Sequence, residues 1–378
     1  MAYFDNASTT FPKMKSVYEK TMSLYEEIGI NFSRENNEIS QKMTAIKSNL
    51  VDNIKKIFEI KGNKQIIINS STTFSLNEIL QGLDYNKIRN VYISPFEHNS
   101  VYRVLKKIEL EKGINLEVVK FNQYTLDEEE LKIQFLSKKP DLIVMTHASN
   151  VFGNILPVEK IFELGKKYSA VTVVDTAQTG GILHYDKIEK YSDFIVFSGH
   201  KNLYGPSGIG GYIINNPEIK LSPLLYGGTG IKSEEIGMPE DIPERFEAGS
   251  PNTLGIIGLK LATDELLSIG IDNIYSQKSK NLMKLYEILD EFKDELEIYS
   301  VTNNNVGIIS LNSKYNTPQE LEMYLKEYGI IVRSGMQCAP LAHKHIKTPK
   351  EGAIRLSVGY FNKEEDFIKL REALEEIL

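Results

Sequence analysis

Met43, Ile46, Leu50, Ile54, Ile57 and Phe58 recur at steps of three and four residues. That is the spacing of one buried helix face, and it predicts a core helix over roughly residues 40–61. Seven short apolar runs rich in Val and Ile follow: QIIIN (65–69), NVYISP (90–95), LEVVKF (116–121), DLIVMTH (141–147), AVTVVD (170–175), DFIVFSG (193–199) and GGYIIN (210–215). Runs of this length and composition are buried-strand signals. Helix-length segments at 73–83, 98–111, 127–137 and 157–168 lie between several of them. The alternation predicts an α/β fold with a mainly parallel sheet covered by helices.

Beyond about residue 250 the pattern changes to helices at 256–269, 276–294 and 363–378 with a few strands between. We expect a large domain over 13–253 and a smaller α/β domain built from 1–12 and 254–378. A chain of 378 residues is long enough for two such units. The Gly- and Pro-rich stretch 226–253 is the candidate functional loop.

Composition narrows the function by exclusion. A net charge of −7 argues against a general nucleic-acid or acidic-membrane surface. No apolar run approaches the roughly 18 residues needed to span a bilayer. The start MAYFDNASTT lacks the basic and apolar regions of a signal peptide, so a cytoplasmic location is expected. With one cysteine, Cys338, no intrachain disulfide can form, and no metal site is expected.

Several segments carry candidate chemistry at strand ends, where open parallel sheets hold ligands. FSGHKNLYGPSGIGG sets Lys201 between two strands, with Ser198, His200 and glycines that would let the backbone approach a cofactor. VVDTAQTGG puts Asp175 and Gln178 after a strand, where a buried carboxylate needs a partner or caps a helix. NSSTTFSL offers Ser71, Thr72 and Thr73 at a helix start, either as a phosphate cradle or as a plain cap. FEHNS and HASNVFG contribute His98 and Asn150. Cys338 sits in IVRSGMQCAPLAHKHI, where Gly335 and Pro340 mark a loop and His343, Lys344, His345 and Lys347 follow. Nearby positive charge would favour a reactive thiolate, against the bland reading of a packed cysteine.

Taken with YFDNASTT (3–10), RFEAGSPNT (245–253), VRSGMQCAP and IRLSVGYFN (354–362), these motifs resemble the class V (fold-type I) pyridoxal-phosphate enzymes. Within that group the chain is similar to the cysteine desulfurases, closest to the selenocysteine lyase-like branch. The resemblance implies a fold-type I architecture with a seven-stranded sheet, pyridoxal 5'-phosphate as cofactor, and L-cysteine or selenocysteine as substrate. It implies that Lys201 carries the cofactor as a Schiff base, His98 stacks on its ring, and Asp175 pairs with the ring nitrogen. Gln178 and Asn150 would contact the ring oxygen or the substrate. Ser71, Thr72, Thr73, Ser198 and His200 would hold the phosphate. Ser250, with Thr229, would reach the partner's cofactor in a homodimer. Arg355 would grip the substrate carboxylate, and Cys338 would take sulfur as a persulfide and pass it to a thiol or an acceptor protein.

The chain departs from the family pattern at Ser71, where the family has glycine, at Phe74, and at Phe32 in NFSR (31–34). Serine at 71 is expected still to offer an N–H and a hydroxyl. The alternatives are a selenocysteine lyase, another class V aminotransferase or lyase in which Cys338 is incidental, and a cofactor-binding protein without turnover.

Overall fold

The computed structural model describes residues 1–30, 37–231 and 234–378, so the NFSR stretch with Phe32 lies outside the described residues. Along them run β1 (Ala2–Tyr3), α1 (Lys15–Ile28), α2 (Glu38–Ile57), β2 (Gln65–Asn69), α3 (Thr72–Gly82), β3 (Asn90–Ile93), α4 (Asn99–Lys112) and β4 (Asn115–Val118). A hairpin of β5 (Phe121–Asn122) and β6 (Thr125–Leu126) follows, then α5 (Glu128–Ser137), β7 (Leu142–Thr146), α6 (Val158–Lys166), β8 (Val171–Asp175), α7 (Asp186–Tyr191), β9 (Phe194–Ser198) and β10 (Gly210–Ile214). The remainder is α8 (Thr253–Ile269), α9 (Ile271–Glu291), β11 (Leu296–Ile298), β12 (Ile308–Ser313), α10 (Pro318–Glu327), β13 (Ile330–Ile331), α11 (Pro340–Ile346), β14 (Ile354–Ser357) and α12 (Glu364–Ile377).

Each of the seven apolar runs supplies a strand of one seven-stranded sheet, ordered β2-β10-β9-β8-β7-β3-β4. The strands from β9 to β4 pair in parallel, and β10 runs antiparallel between β2 and β9. Every residue of β7 and β9 is buried, which explains their unbroken apolar sequence: helices cover both faces. One face packs on Leu50, Ile54, Ile57 and Phe58 of α2 and its end. The other packs on Leu76, Ile79 and Leu80 of α3 and Val101 and Leu105 of α4. α8 lies across α1 and α2, and its Ile256, Leu259 and Leu266 share the first of these cores.

The glycines around Lys201 serve the packing of the sheet. A Cβ on Gly211 would lie 2.1 Å from the Ile67 carbonyl oxygen, and one on Gly199 would lie 2.7 Å from that of Ile209. They let strands and turns close on one another, and it is this close packing that brings β10 between its two neighbours.

A second, three-stranded sheet, β11-β12-β14, has its own core of Leu285, Leu311, Leu325, Ile354, Phe367 and Leu370. β1 joins β13 in parallel, and Phe4 enters this core. Asp5 bridges to Ser357 just beyond, so residues 5–8 sit against β14 and face the large sheet. Among the described residues no helix is long and apolar enough to cross a membrane.

Replacing Gly211 by alanine should lower unfolding stability by roughly 2–4 kcal/mol, because the Ile67 backbone and the buried Phe197 ring leave the methyl no space. Urea denaturation measures this, and a loss under about 0.5 kcal/mol would contradict the packing described.

Candidate active site

The carboxyl ends of β2, β3, β7, β8 and β9 open into one cavity of about 290 Å³. Strand register sets its floor, since Thr146 of β7 pairs with Asp175 of β8, and Asp175 with Val196 of β9. The cavity is lined by Ser71, Thr72, Thr73, His98, Asn150, Asp175, Gln178, Ser198, His200, Lys201, Cys338 and Arg355. These are the candidate residues from the sequence, brought together from seven separate segments of the chain. Ser250 is not among them: it lines a neighbouring pocket of about 260 Å³ with Ser70 and Phe74. Thr229 also stands apart, its hydroxyl bonded to the Ile231 carbonyl at 3.3 Å.

Lys201 follows β9, with its carbonyl and that of His200 held by the Thr10 hydroxyl at 2.9 and 3.3 Å. Burial lowers its ammonium pKa to about 8, with Asp175 opposing and Arg355 assisting. Such an amine is half in its nucleophilic free-base form near pH 8, where an ordinary lysine is almost wholly protonated. Asp175 is buried, and its Oδ1 accepts the Ala177 N–H at 2.9 Å. Burial raises its pKa, against the pull of that N–H and of Lys201. A carboxylate so enclosed calls for a cationic N–H donor.

His98 lines the cavity while closing a helix start. It is the N-cap of α4, its Nδ1 accepting the Ser100 N–H at 3.1 Å, which leaves the ring proton on Nε2. Burial, then Lys201 and Arg355, lower its pKa to about 4, so the ring is neutral. Glu97, fully buried beside it, was not singled out by sequence. Its Oε1 accepts from the Ser94 hydroxyl at 2.5 Å and the Thr146 N–H at 2.8 Å. Burial raises its pKa to about 8, making it a neutral acid under the site.

At the phosphate-sized end, Ser71 caps α3 through the Phe74 N–H at 3.2 Å. The expectation that Ser71 offers its own N–H is corrected, because that group donates to Asn69 Oδ1 at 3.2 Å. The first-turn N–H groups of Thr72 and Thr73 have no helical acceptor and remain for an anion. His200 Nδ1 and Asn150 Oδ1 are buried without partners, as is Arg355 Nε. A helix start for a phosphate, a buried carboxylate for a ring nitrogen and an amine of lowered pKa form a donor set that fits pyridoxal phosphate.

Cys338 is exposed and held in a strained loop. Gln337 and Cys338 have φ of +40° and +59°, left-handed values that cost about 1–3 kcal/mol for each such non-glycine residue. Surrounding bonds hold them there. Asn99 N–H donates to the Cys338 carbonyl and Asn150 Nδ2 to the Gln337 carbonyl, both at 2.7 Å. The Gln337 side chain donates to Ala353 O at 2.8 Å and meets His343 Nε2 at 3.0 Å.

Within the downstream basic cluster, His343 does not serve as expected. Burial lowers the His343 pKa to about 4, so it acts as a neutral hydrogen-bonding prop and brings no positive charge to the thiol. His345 bonds the Gln123 carbonyl at 2.8 Å. Sequence reasoning also missed Ser8, Ser100, Arg333 and Gln337 in the cavity wall. The polar run DNAS directly after buried Phe4 was a signal for the first of these.

The family profile described as Aminotransferase class-V matches residues 2–370. The chain is 32% identical to a probable cysteine desulfurase of Pyrococcus abyssi, over all of this chain and 94% of that one. It is 29% identical to a cysteine desulfurase of Escherichia coli, over all of this chain and 93% of that one. The solved apo structure of a cysteine desulfurase from Thermococcus onnurineus NA1 superposes with a TM-score of 0.91 at 29% identity, covering all of this chain and 94% of that one. A full-length profile match, full-length relatives and a shared fold agree that this chain belongs to the class-V aminotransferase family, in the company of proteins named cysteine desulfurases.

Proposed function

We propose that the protein is a pyridoxal-phosphate-dependent cysteine desulfurase, turning L-cysteine into L-alanine while its sulfur becomes a persulfide on Cys338. The observation that carries this reading is one cavity lined by Lys201, Asp175, His98, Arg355 and an exposed Cys338. Bound cofactor would supply an electron sink at the substrate's amino nitrogen, with its ring nitrogen held by Asp175, its phosphate by Thr72, Thr73, Ser198 and His200, and its aldehyde by Lys201.

Arg355 binds the substrate carboxylate and so orients the α-hydrogen and the thiol. Lys201 Nζ, an amine with pKa of about 8, takes the α-proton and can return it. Cys338 thiolate then attacks the substrate sulfur. The new S–S bond forms as Cβ–S breaks, and Cβ gains a proton, so that cysteine and one thiol yield alanine and one persulfide. His98, with its proton on Nε2, is the neutral donor closest in kind to that need. Exposure of Cys338 allows a thiol or an acceptor protein to remove the sulfur.

The proposal includes two units, 13–253 and 1–12 with 254–378, supported by the separate core around β12 and β14. It includes a homodimer, supported by exposed Leu225, Tyr226 and Ile236 in the stretch that also carries Ser250. It includes a cytoplasmic location, supported by a chemistry that needs Cys338 reduced.

Two measurements test this reading. Purified protein with L-cysteine and a thiol reductant should release alanine, and Cys338→Ala should lose at least about a hundredfold of that rate, the usual scale for removing a nucleophile. Equal rates would leave the thiol incidental, and no alanine from either protein would refute the desulfurase reading. Second, protein stripped of cofactor should take up added pyridoxal phosphate at a rate that rises with pH to a half-maximum near about 8, as the Lys201 amine loses its proton. A rise only near the ordinary lysine range, about 10.4, would show that burial does not tune this amine.

A further inference from the structure

Arg355 is already engaged. Its Nη2 donates to Asp5 Oδ1 and to the Ser8 hydroxyl oxygen at 2.7 Å each, and its Nη1 donates to the Asn150 carbonyl at 2.7 Å. The Ser8 hydroxyl in turn donates to Asp5 Oδ1 at 2.8 Å. The guanidinium side chain is 3% exposed, and the Nε–H that lacks a partner is buried. A guanidinium has five N–H donors, and here those along the Nη2 end are filled by protein acceptors. An incoming carboxylate can pair with it bidentately only by replacing one of them.

One of those acceptors is itself a carboxylate, and a second cation stands near it. Arg333 faces β14 across a bridge to Arg355 and lines the active-site cavity. It also lines a cavity of about 680 Å³ on the far side with Asp5, Glu322 and Lys326. Arg333 has no ion-pair partner among the described residues. Arg333 therefore stands as a second cation on the same wall as Asp5.

We propose that Asp5 is an internal stand-in for the substrate carboxylate: it holds Arg355 until an amino-acid carboxylate displaces it, and Arg333 then receives it. This rests on the desulfurase reading only for the identity of the amino acid. The exchange keeps the buried guanidinium paired throughout, avoiding the several kcal/mol that an uncompensated buried charge costs. It also makes Asp5 a competitor, so that affinity for carboxylates is set below what Arg355 alone would give. Asp5 is thus a positioning and selectivity residue that touches no reacting atom.

The probe is 3-mercaptopropionate, which carries the thiol and carboxylate of cysteine without the amine, titrated calorimetrically into the holoenzyme. Asp5→Asn should bind it at least about tenfold more tightly than wild type, or about 1.4 kcal/mol. Ser8→Ala, which loosens Asp5 and keeps the ion pair, should tighten it by a smaller factor. Binding of the neutral 3-mercaptopropionamide should not change in either variant. Unchanged or weaker 3-mercaptopropionate binding by folded Asp5→Asn overturns the proposal, because Asp5 would then only orient Arg355. An equal gain for the amide overturns it too. Should Asp5→Asn fail to fold, Ser8→Ala decides by the same signs. Failure to make alanine from L-cysteine would refute the desulfurase reading and leave this affinity comparison standing.

Discussion

The hydrogen-bond register among β7, β8 and β9 is the constraint on which the rest of the site depends. Because Thr146, Asp175 and Val196 are held level, the loops after β7 and β8 leave the sheet together, and β9 runs two residues further to Ser198. A slip of one residue would turn the Asp175 side chain to the opposite face, toward apolar packing. The apolar residues on both faces of these strands forbid that slip, so the same burial that stabilises the sheet also aims its chemistry. Side chains from distant parts of the sequence converge because backbone pairing sets a common edge.

At that edge burial does electrostatic work. It raises Asp175 and Glu97, and it lowers Lys201, His98 and His200. The site therefore holds neutral histidines, a neutral buried acid, and an amine near its titration point. Charge is concentrated in a few groups that face each other, chiefly Asp175 with Lys201 and Asp5 with Arg355. Low polarity strengthens both attractions.

The large sheet was legible in the sequence because fully buried strands read as unbroken apolar runs. All seven were found, though LEVVKF divides between β4 and the hairpin at Phe121. α1 was not, since its buried residues are only Val17, Thr21 and Ile28, too sparse to show a helical period. The site residues that follow strands were legible from position and type. Asp5 was not, since its meaning lies in Arg355, 350 positions away, and no local pattern carries a contact of that range. His343 misled for a related reason: sequence gives a residue's charge type, and only packing decides whether that charge is expressed.

The pairing of residues 2–8 with β13 and β14 sets an order for events during synthesis. Asp175, His98 and Lys201 lie between residues 98 and 201, so their side of the cavity is present in the chain early. The Asp5–Arg355 pair and the strained Cys338 loop wait until the ribosome has released residues near 357, when β14 can dock against the waiting N-terminal strand. A nascent chain therefore carries Lys201, Asp175 and His98 well before Cys338 can take its place beside them.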